Sequence, residues 1–496
     1  MGPVLVALIV FPFVVSIATF LLPVAVSRVV SVVAGAAAFG LSLALVPTVA
    51  DHAVAAGSLL RVDALSMVFL VATAFLYGTT AVFAGGYLHL TDSAAGRRYG
   101  RRFYAGLNLF CWAMLAAPLV NGFALLWVAV EITTVISALL VAIDDTDEAT
   151  EASWKYVLIA SMGLGIALFA TIVMYYAGSK VFGAGFDLSY VKMVAGAVHF
   201  PHGAVRFAFI LAVLGFGTKV GLVPVHTWLP DAHSEAPTPV SALLSGALLA
   251  IAFYAILRYY QVAVRTLGPT FPRDVLLAFG LASLLLAALY LLSQRDIKRM
   301  LAYSSVEHMG ILAIGMSFGA TIAIVGVLLH VLAHAAAKGT AFFGAGSVVR
   351  KFATKDMRRI RGGVGALPWS GPMLVAAVLA LSAMPPFGIF RSEFLIVRGG
   401  LADPHDAVTA VLVVLVSVAF LGLSWATTKT MLSPSVTTAD ARGAHAQVTP
   451  PKGEVSWLIV VAMALGLLAL VVLGVHPPAS LDHLLARAAN ELGAPR

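Results

Sequence analysis

Apolar runs about as long as a bilayer is thick recur from one end of the chain to the other, separated by short polar segments. At roughly 20 apolar residues per crossing, the pattern predicts about fourteen membrane-spanning helices. They fall near residues 3–23, 29–50, 64–88, 103–120, 122–143, 154–178, 205–226, 238–262, 274–293, 301–319, 322–349, 368–390, 406–430 and 455–475. Helices follow from the uninterrupted runs, because a helix satisfies its backbone hydrogen bonds within lipid. The first run, Pro3 to about Leu22, lacks a basic n-region and is long enough to span, so it is read as retained rather than cleaved. The fold class expected is an all-α polytopic membrane protein.

Two runs contain prolines where a helix should continue: Pro224 near the end of span seven, and Pro385 and Pro386 in span twelve. Proline removes a backbone donor and frees a carbonyl, tolerable at membrane depth only beside protein or water. Broken helices at corresponding places predict two inverted five-helix repeats. The organisation expected is residues 1–102 (helices one to three), 103–262 (helices four to eight), 263–432 (helices nine to thirteen), and 433–496 (a loop and helix fourteen).

Composition agrees: 60% hydrophobic and 11% charged over 496 residues leaves too little polar surface for a soluble protein of this size. The net charge of +8 does not indicate nucleic acid, since basic residues cluster in short loops. Arg97, Arg98, Arg101 and Arg102 follow span three; Arg295, Lys298 and Arg299 follow span nine; Arg350, Lys351, Lys355, Arg358, Arg359 and Arg361 follow span eleven. With fourteen spans these loops share one face, cytoplasmic by the positive-inside rule, which puts both termini outside the cell membrane. Arg258, Arg265 and Arg273 oppose the rule in one loop and are set aside. Cys111 is the single cysteine, so no disulfide and no cysteine-ligated cluster is expected within the chain. No glycine-rich phosphate cradle is present either, and no cofactor is expected in this chain.

An ionisable side chain at mid-bilayer costs about 3 kcal/mol or more, so each needs a reason. Glu131 lies inside LLWVAVEITTVISALLVA, and Lys219 lies inside span seven. His330, His334 and Lys338 recur every fourth residue of span eleven, on one helix face at steps of about 6 Å. Glu393 follows the proline pair in MPPFGIFRSEF, where an interfacial position is the competing reading. For the other groups the competing reading is a polar lock between helices. Two histidines four apart suit zinc, but no carboxylate or thiol completes a local motif, so no metal is expected. His226, Asp231 and His233, with Thr227, follow Lys219 as a candidate mouth for proton uptake. Asp296, Lys298 and Arg299 read as a solvated loop cluster.

KVGLVPVHTWLPDAHSEAPTPVSALLSG from Lys219, SQRDIKRMLAYSSVEHMG at 293–310 and HVLAHAAAKGTAFFGAGSV from His330 resemble the antiporter-like subunits of respiratory complex I and Mrp-type relatives. The wording of the first block and PPFGIFRSEF are most similar to the subunit of membrane-bound group-4 [NiFe] hydrogenases and formate hydrogenlyases, F type. The resemblance covers roughly residues 65–430. It implies that Glu131 is the glutamate of span five, Lys219 its partner lysine, His330, His334 and Lys338 the polar centre of span eleven, and Glu393 the acid of span twelve. One departure stands out: Ala250 occupies the place of a span-eight lysine, so water, Ser245 or Tyr254 would have to bridge there.

What the resemblance implies is a subunit without redox activity of its own. It would move protons through a Glu/Lys/His axis within a larger oxidoreductase. The partners implied are other membrane subunits and a soluble hydrogenase or dehydrogenase arm carrying iron–sulfur and nickel–iron or flavin groups. The alternatives are a subunit of a Na⁺/H⁺ antiporter and a passive scaffold with structural charges.

Overall fold

The computed structural model describes residues 1–88, 93–402, 406–436 and 448–493. Helices α1 (Gly2–Leu21), α2 (Val24–Asp51), α3 (Ala64–Tyr87), α4 (Ala94–Leu119), α5 (Phe123–Val141) and α6 (Asp147–Phe182) open the chain. A short α7 (Tyr190–Gly196) precedes α8 (His202–Val220), α9 (Trp228–Glu235), α10 (Thr238–Leu243) and α11 (Leu249–Leu267). Then come α12 (Thr270–Leu291), α13 (Ile297–Phe318), α14 (Thr321–Phe352), α15 (Gly363–Ala366), α16 (Ser370–Leu381), α17 (Gly388–Ala402), α18 (Asp406–Thr427), α19 (Trp457–Val475) and α20 (Ala479–Glu491). A small antiparallel hairpin, β1 (Val54–Ala56) with β2 (Leu60–Val62), joins α2 to α3.

The chain is thus an all-α, multi-pass membrane protein. Among the described residues, eleven helices are long and apolar enough to cross a bilayer, by length and composition. The difference from the fourteen expected spans lies in α4, α13 and the α16–α17 pair. α4 begins with a run of arginines, and α13 carries Lys298, Arg299, Glu307 and His308. The α16–α17 pair is broken into 12- and 15-residue pieces. The amphipathic α20 was not expected; it packs on α2, α3 and α14.

The centre of the bundle is α14, which packs against α3, α13, α16, α17 and α19. The segment Thr238–Leu267 is enclosed on all sides over its most apolar stretch, and its first turns widen to a π-helix at Leu244–Leu248. At the rim, Phe13, Val14, Leu139, Met162 and Trp425 stand exposed, the apolar surface a lipid solvent requires.

Both predicted breaks are present, with local causes. α8 stops at Val220, where Gly221 takes a left-handed φ of 81° and its N–H closes onto Gly217 O. Pro224 then supplies no donor for continuation. The carbonyl of Thr218, left over by the break, accepts the indole N–H of Trp228 at 2.7 Å. The second break runs from Ser382 to Phe387, and a Cβ on Gly474 would strike Pro386 O, so α19 approaches the break at backbone contact. One consequence was not foreseen: Glu393 lies within α17, beyond the break, rather than at a helix end.

The ends of α3 and α14, the start of α10 and the segments before α13 and after α14 meet at one end of the bundle. Arg350 at the end of α14 donates to Tyr87 O at the end of α3, Thr238 Oγ1 donates to Tyr87 OH at 3.2 Å, and Ile297 N donates to Lys355 O at 3.1 Å.

Candidate functional site

The first cluster joins α5, α6 and α8. Lys219 is fully buried, and its ammonium donates to Thr134 Oγ1 and Tyr156 OH, both at 2.6 Å. Tyr156 OH in turn lies 2.7 Å from Ser137 Oγ. Glu131, one turn before Thr134, is half-buried with Oε2 shielded and unpartnered. It does not form an ion pair with Lys219, although the two charges remain within Coulombic reach. The expected carboxylate–ammonium contact is therefore replaced by two hydroxyls, with the carboxylate acting through space.

The second cluster joins α13, α14 and α17. Lys338 is fully buried and donates to Leu301 O at 3.0 Å and to Ser304 Oγ. His330 Nδ1 lies 3.0 Å from Ser392 Oγ, and His330 Nε2 lies 3.1 Å from His308 Nδ1. Glu393 Oε1 is 4.0 Å from that same His308 nitrogen. The His334 ring sits 5.2 Å from the His308 ring and 6.2 Å from the His330 ring. Glu393 is buried within the bundle. Several polar atoms here have no protein partner: Glu307 Oε2, His308 Nε2 and both nitrogens of His334. Buried groups of this kind are ordinarily satisfied by water.

Between the clusters, Ser245 on the π-turn lies 2.7 Å from Ser305 Oγ, next to the Ser304 that Lys338 holds. Tyr254 is not available as a bridge: its hydroxyl is 3.0 Å from Ser66 Oγ and accepts from Arg258 Nε at 2.9 Å. Arg258 itself, set aside from the sequence as a loop charge, is 1% exposed and ion-paired with Asp63 at 2.6 Å.

The mouth residues separate. His226 is buried in the turn before α9 with Nδ1 unpartnered. His233 is fully buried, with Nδ1 2.9 Å from Leu229 O and Nε2 unpartnered. Asp231 instead accepts from Arg299 Nη1 at 2.7 Å and lies 3.5 Å from Lys155. Of the loop cluster read as solvated, Asp296 caps α13 and Lys298 is buried, donating to Ser234 O at 3.1 Å and Ala236 O at 2.5 Å. Those carbonyls end α9, so Lys298 fastens the broken helix rather than facing water.

Sequence reasoning missed Glu307 and His308, although both are ionisable groups in the middle of a helix and meet the same mid-bilayer criterion as Glu131. Thr134, Tyr156, Ser304 and Ser392 carried no comparable signal.

The chain belongs to the family of transmembrane subunits described as NADH:quinone oxidoreductase/Mrp antiporter, which matches residues 120–421. It is similar to a hydrogenase-4 component F homolog of Methylacidiphilum infernorum (isolate V4), with 38% identity over 349 residues, 70% of this chain and 73% of the relative. It is also 31% identical to hydrogenase-4 component B of Escherichia coli (strain K12) over 68% of this chain, a match that spans half (50%) of that relative. In fold it resembles a chain in the structure of respiratory complex I from Thermus thermophilus, with a TM-score of 0.80, 22% identity, and coverage of 99% of this chain and 100% of that one.

Proposed function

We propose that this chain is a proton-translocating membrane subunit of a multi-subunit redox complex, of the hydrogenase-4/formate hydrogenlyase or NADH:quinone oxidoreductase type. The observation that carries the reading is the pair of fully buried lysines, Lys219 and Lys338, each held by neutral oxygens rather than by a carboxylate. An ammonium in low dielectric loses stability by desolvation and regains it from a nearby anion. Movement of charge at Glu131 or Glu307 therefore changes whether each lysine keeps its proton, at about 1.36 kcal/mol per pKa unit.

Protons enter at the arginine-rich end, with His226, Asp231 and His233 at the mouth, and reach Lys219. They pass to Lys338 through water and the Ser245–Ser305 hydroxyls, because Ala250 supplies no group of its own. His334, His308 and His330 then relay them to Glu393, imidazole being suited by a reference pKa near neutrality. The redox chemistry resides in partner subunits, and the loops that gather at the basic end lie on the cytoplasmic side of the cell membrane. A sodium site would need several converging oxygens, whereas this axis is built of lysine and histidine.

The test is redox-driven acidification of vesicles carrying the intact complex. Glu131→Gln and Lys219→Ala should abolish it while the complex still assembles. Wild-type rates in both variants would eliminate the mechanism in favour of a scaffold. Sodium-stimulated exchange by the isolated chain would favour the antiporter.

A further inference from the structure

The local sequence around His330 offers no complete set of metal ligands, but the tertiary structure brings two more in from other helices. His308 of α13, His330 of α14 and Glu393 of α17 are all buried, and one ligand atom from each lies within 4.8 Å of the others. We propose that these three residues form a binding site for one divalent transition-metal ion of borderline softness, with Zn²⁺ as its representative.

The donor set is two imidazoles and one carboxylate, which leaves a fourth tetrahedral position open, an arrangement zinc accepts. With metal–ligand bonds of about 2.0 Å, tetrahedral ligand atoms stand about 3.3 Å apart. His308 Nδ1 and His330 Nε2 are already 3.1 Å apart, and Glu393 Oε1 is 4.0 Å from His308 Nδ1. The two imidazoles have to turn until their lone pairs converge rather than face each other, and the carboxylate has to move in; it borders a cleft of about 230 Å³ between Ile311, Phe390, Phe394 and Val413.

The surrounding bonds fix the tautomers the site needs. Ser392 gives its hydroxyl proton to Ile389 O at 2.8 Å, so its lone pair accepts from His330 Nδ1–H. That leaves the His330 Nε2 lone pair facing His308, as a metal ligand oriented by an outer hydrogen bond requires. His308 Nδ1 donates to that lone pair, while its Nε2 has no partner. On metal binding the His308 proton shifts to Nε2, freeing Nδ1, and any proton on Glu393 is displaced to solvent. The ion would occupy lone pairs that a relay uses, but binding itself does not depend on the proposed function.

Co²⁺ serves as the spectroscopic probe for the chelator-washed full-length chain in lipid nanodiscs. One equivalent should bind with the strong visible absorption of four-coordinate cobalt. His308→Ala and His330→Ala should lose it, Ser392→Ala should weaken it about tenfold, and His476→Ala, at the exposed end of α19, should leave it unchanged. Zinc-edge X-ray absorption on the wild type, which needs no variant to fold, should show two imidazoles per zinc. No stoichiometric binding, an all-oxygen shell, or full retention in both histidine variants would overturn the site. Each of these readouts is independent of proton translocation, so failure here and failure of the translocation reading are distinguishable.

Discussion

Two buried cations, Arg258 and Lys219, are held in opposite ways. Arg258 meets Asp63 at 2.6 Å, Ser66 at 2.7 Å, and Tyr254 and Gln261 at 2.9 Å, and lies 4.3 Å over the Tyr190 ring. Lys219 meets two hydroxyls at 2.6 Å and lies 4.9 Å from the Tyr156 ring centre, with no carboxylate in contact. The guanidinium is always charged, and its donors match a fixed set of acceptors, so it locks α3 to α11. The ammonium has no counterion in contact, and it is the one of the two that can give up its proton at modest cost. Burial of a charge alone does not distinguish fastener from carrier; its partners do.

The largest effect should come from breaking the lock. Arg258→Ala leaves Asp63 buried without its cation, and should cost about 3–5 kcal/mol of stability. Denaturant unfolding of the full chain measures this, and a wild-type midpoint would mean that the pair fastens nothing. Next, Tyr156→Phe removes one of the two bonds to the Lys219 ammonium, for which a cost of about 1.5–3 kcal/mol is expected. If stability and proton transfer both stay unchanged, Tyr156 does not hold the lysine.

A smaller effect concerns α20, whose Glu491 accepts from Leu65 N at 3.1 Å beside the lock. Burial first, and then the charge of Asp63, push the Glu491 carboxyl up from 4.5 to about 7. The folded chain therefore holds this proton to higher pH than the unfolded chain does. Its contribution to stability, present below the ordinary value, is lost as pH rises through about 7. Melting compared between about pH 5 and pH 8 should fall less steeply in Glu491→Gln, and parallel slopes would remove this role.

The smallest change in stability is expected for Lys219→Met, within about 1 kcal/mol of wild type. Tyr156 keeps Ser137 and Thr134 keeps Val130 O, so no hydroxyl is orphaned. Proton translocation should nevertheless vanish, and a loss of several kcal/mol would class Lys219 with Arg258 as a fastener.

What the sequence alone determined is what one-dimensional pattern encodes. Long apolar runs specify helices in lipid, prolines at 224 and 385–386 specify where two of them break, charges inside those runs mark Glu131, Lys219, His330, His334 and Lys338, and Glu393 is marked just beyond the second break. The same rule applied to α13 would have marked Glu307 and His308 as well. Only the tertiary structure decided which groups meet. Arg258 and Asp63 are 195 positions apart, and Lys219 finds Thr134 and Tyr156 at separations of 85 and 63. Helical periodicity fixes the face a residue occupies, but the opposing helix and its register come from packing between distant segments. That is why Lys298 read as a loop charge and proved a buried clamp, and why the third ligand beside His308 and His330 comes from beyond the second break.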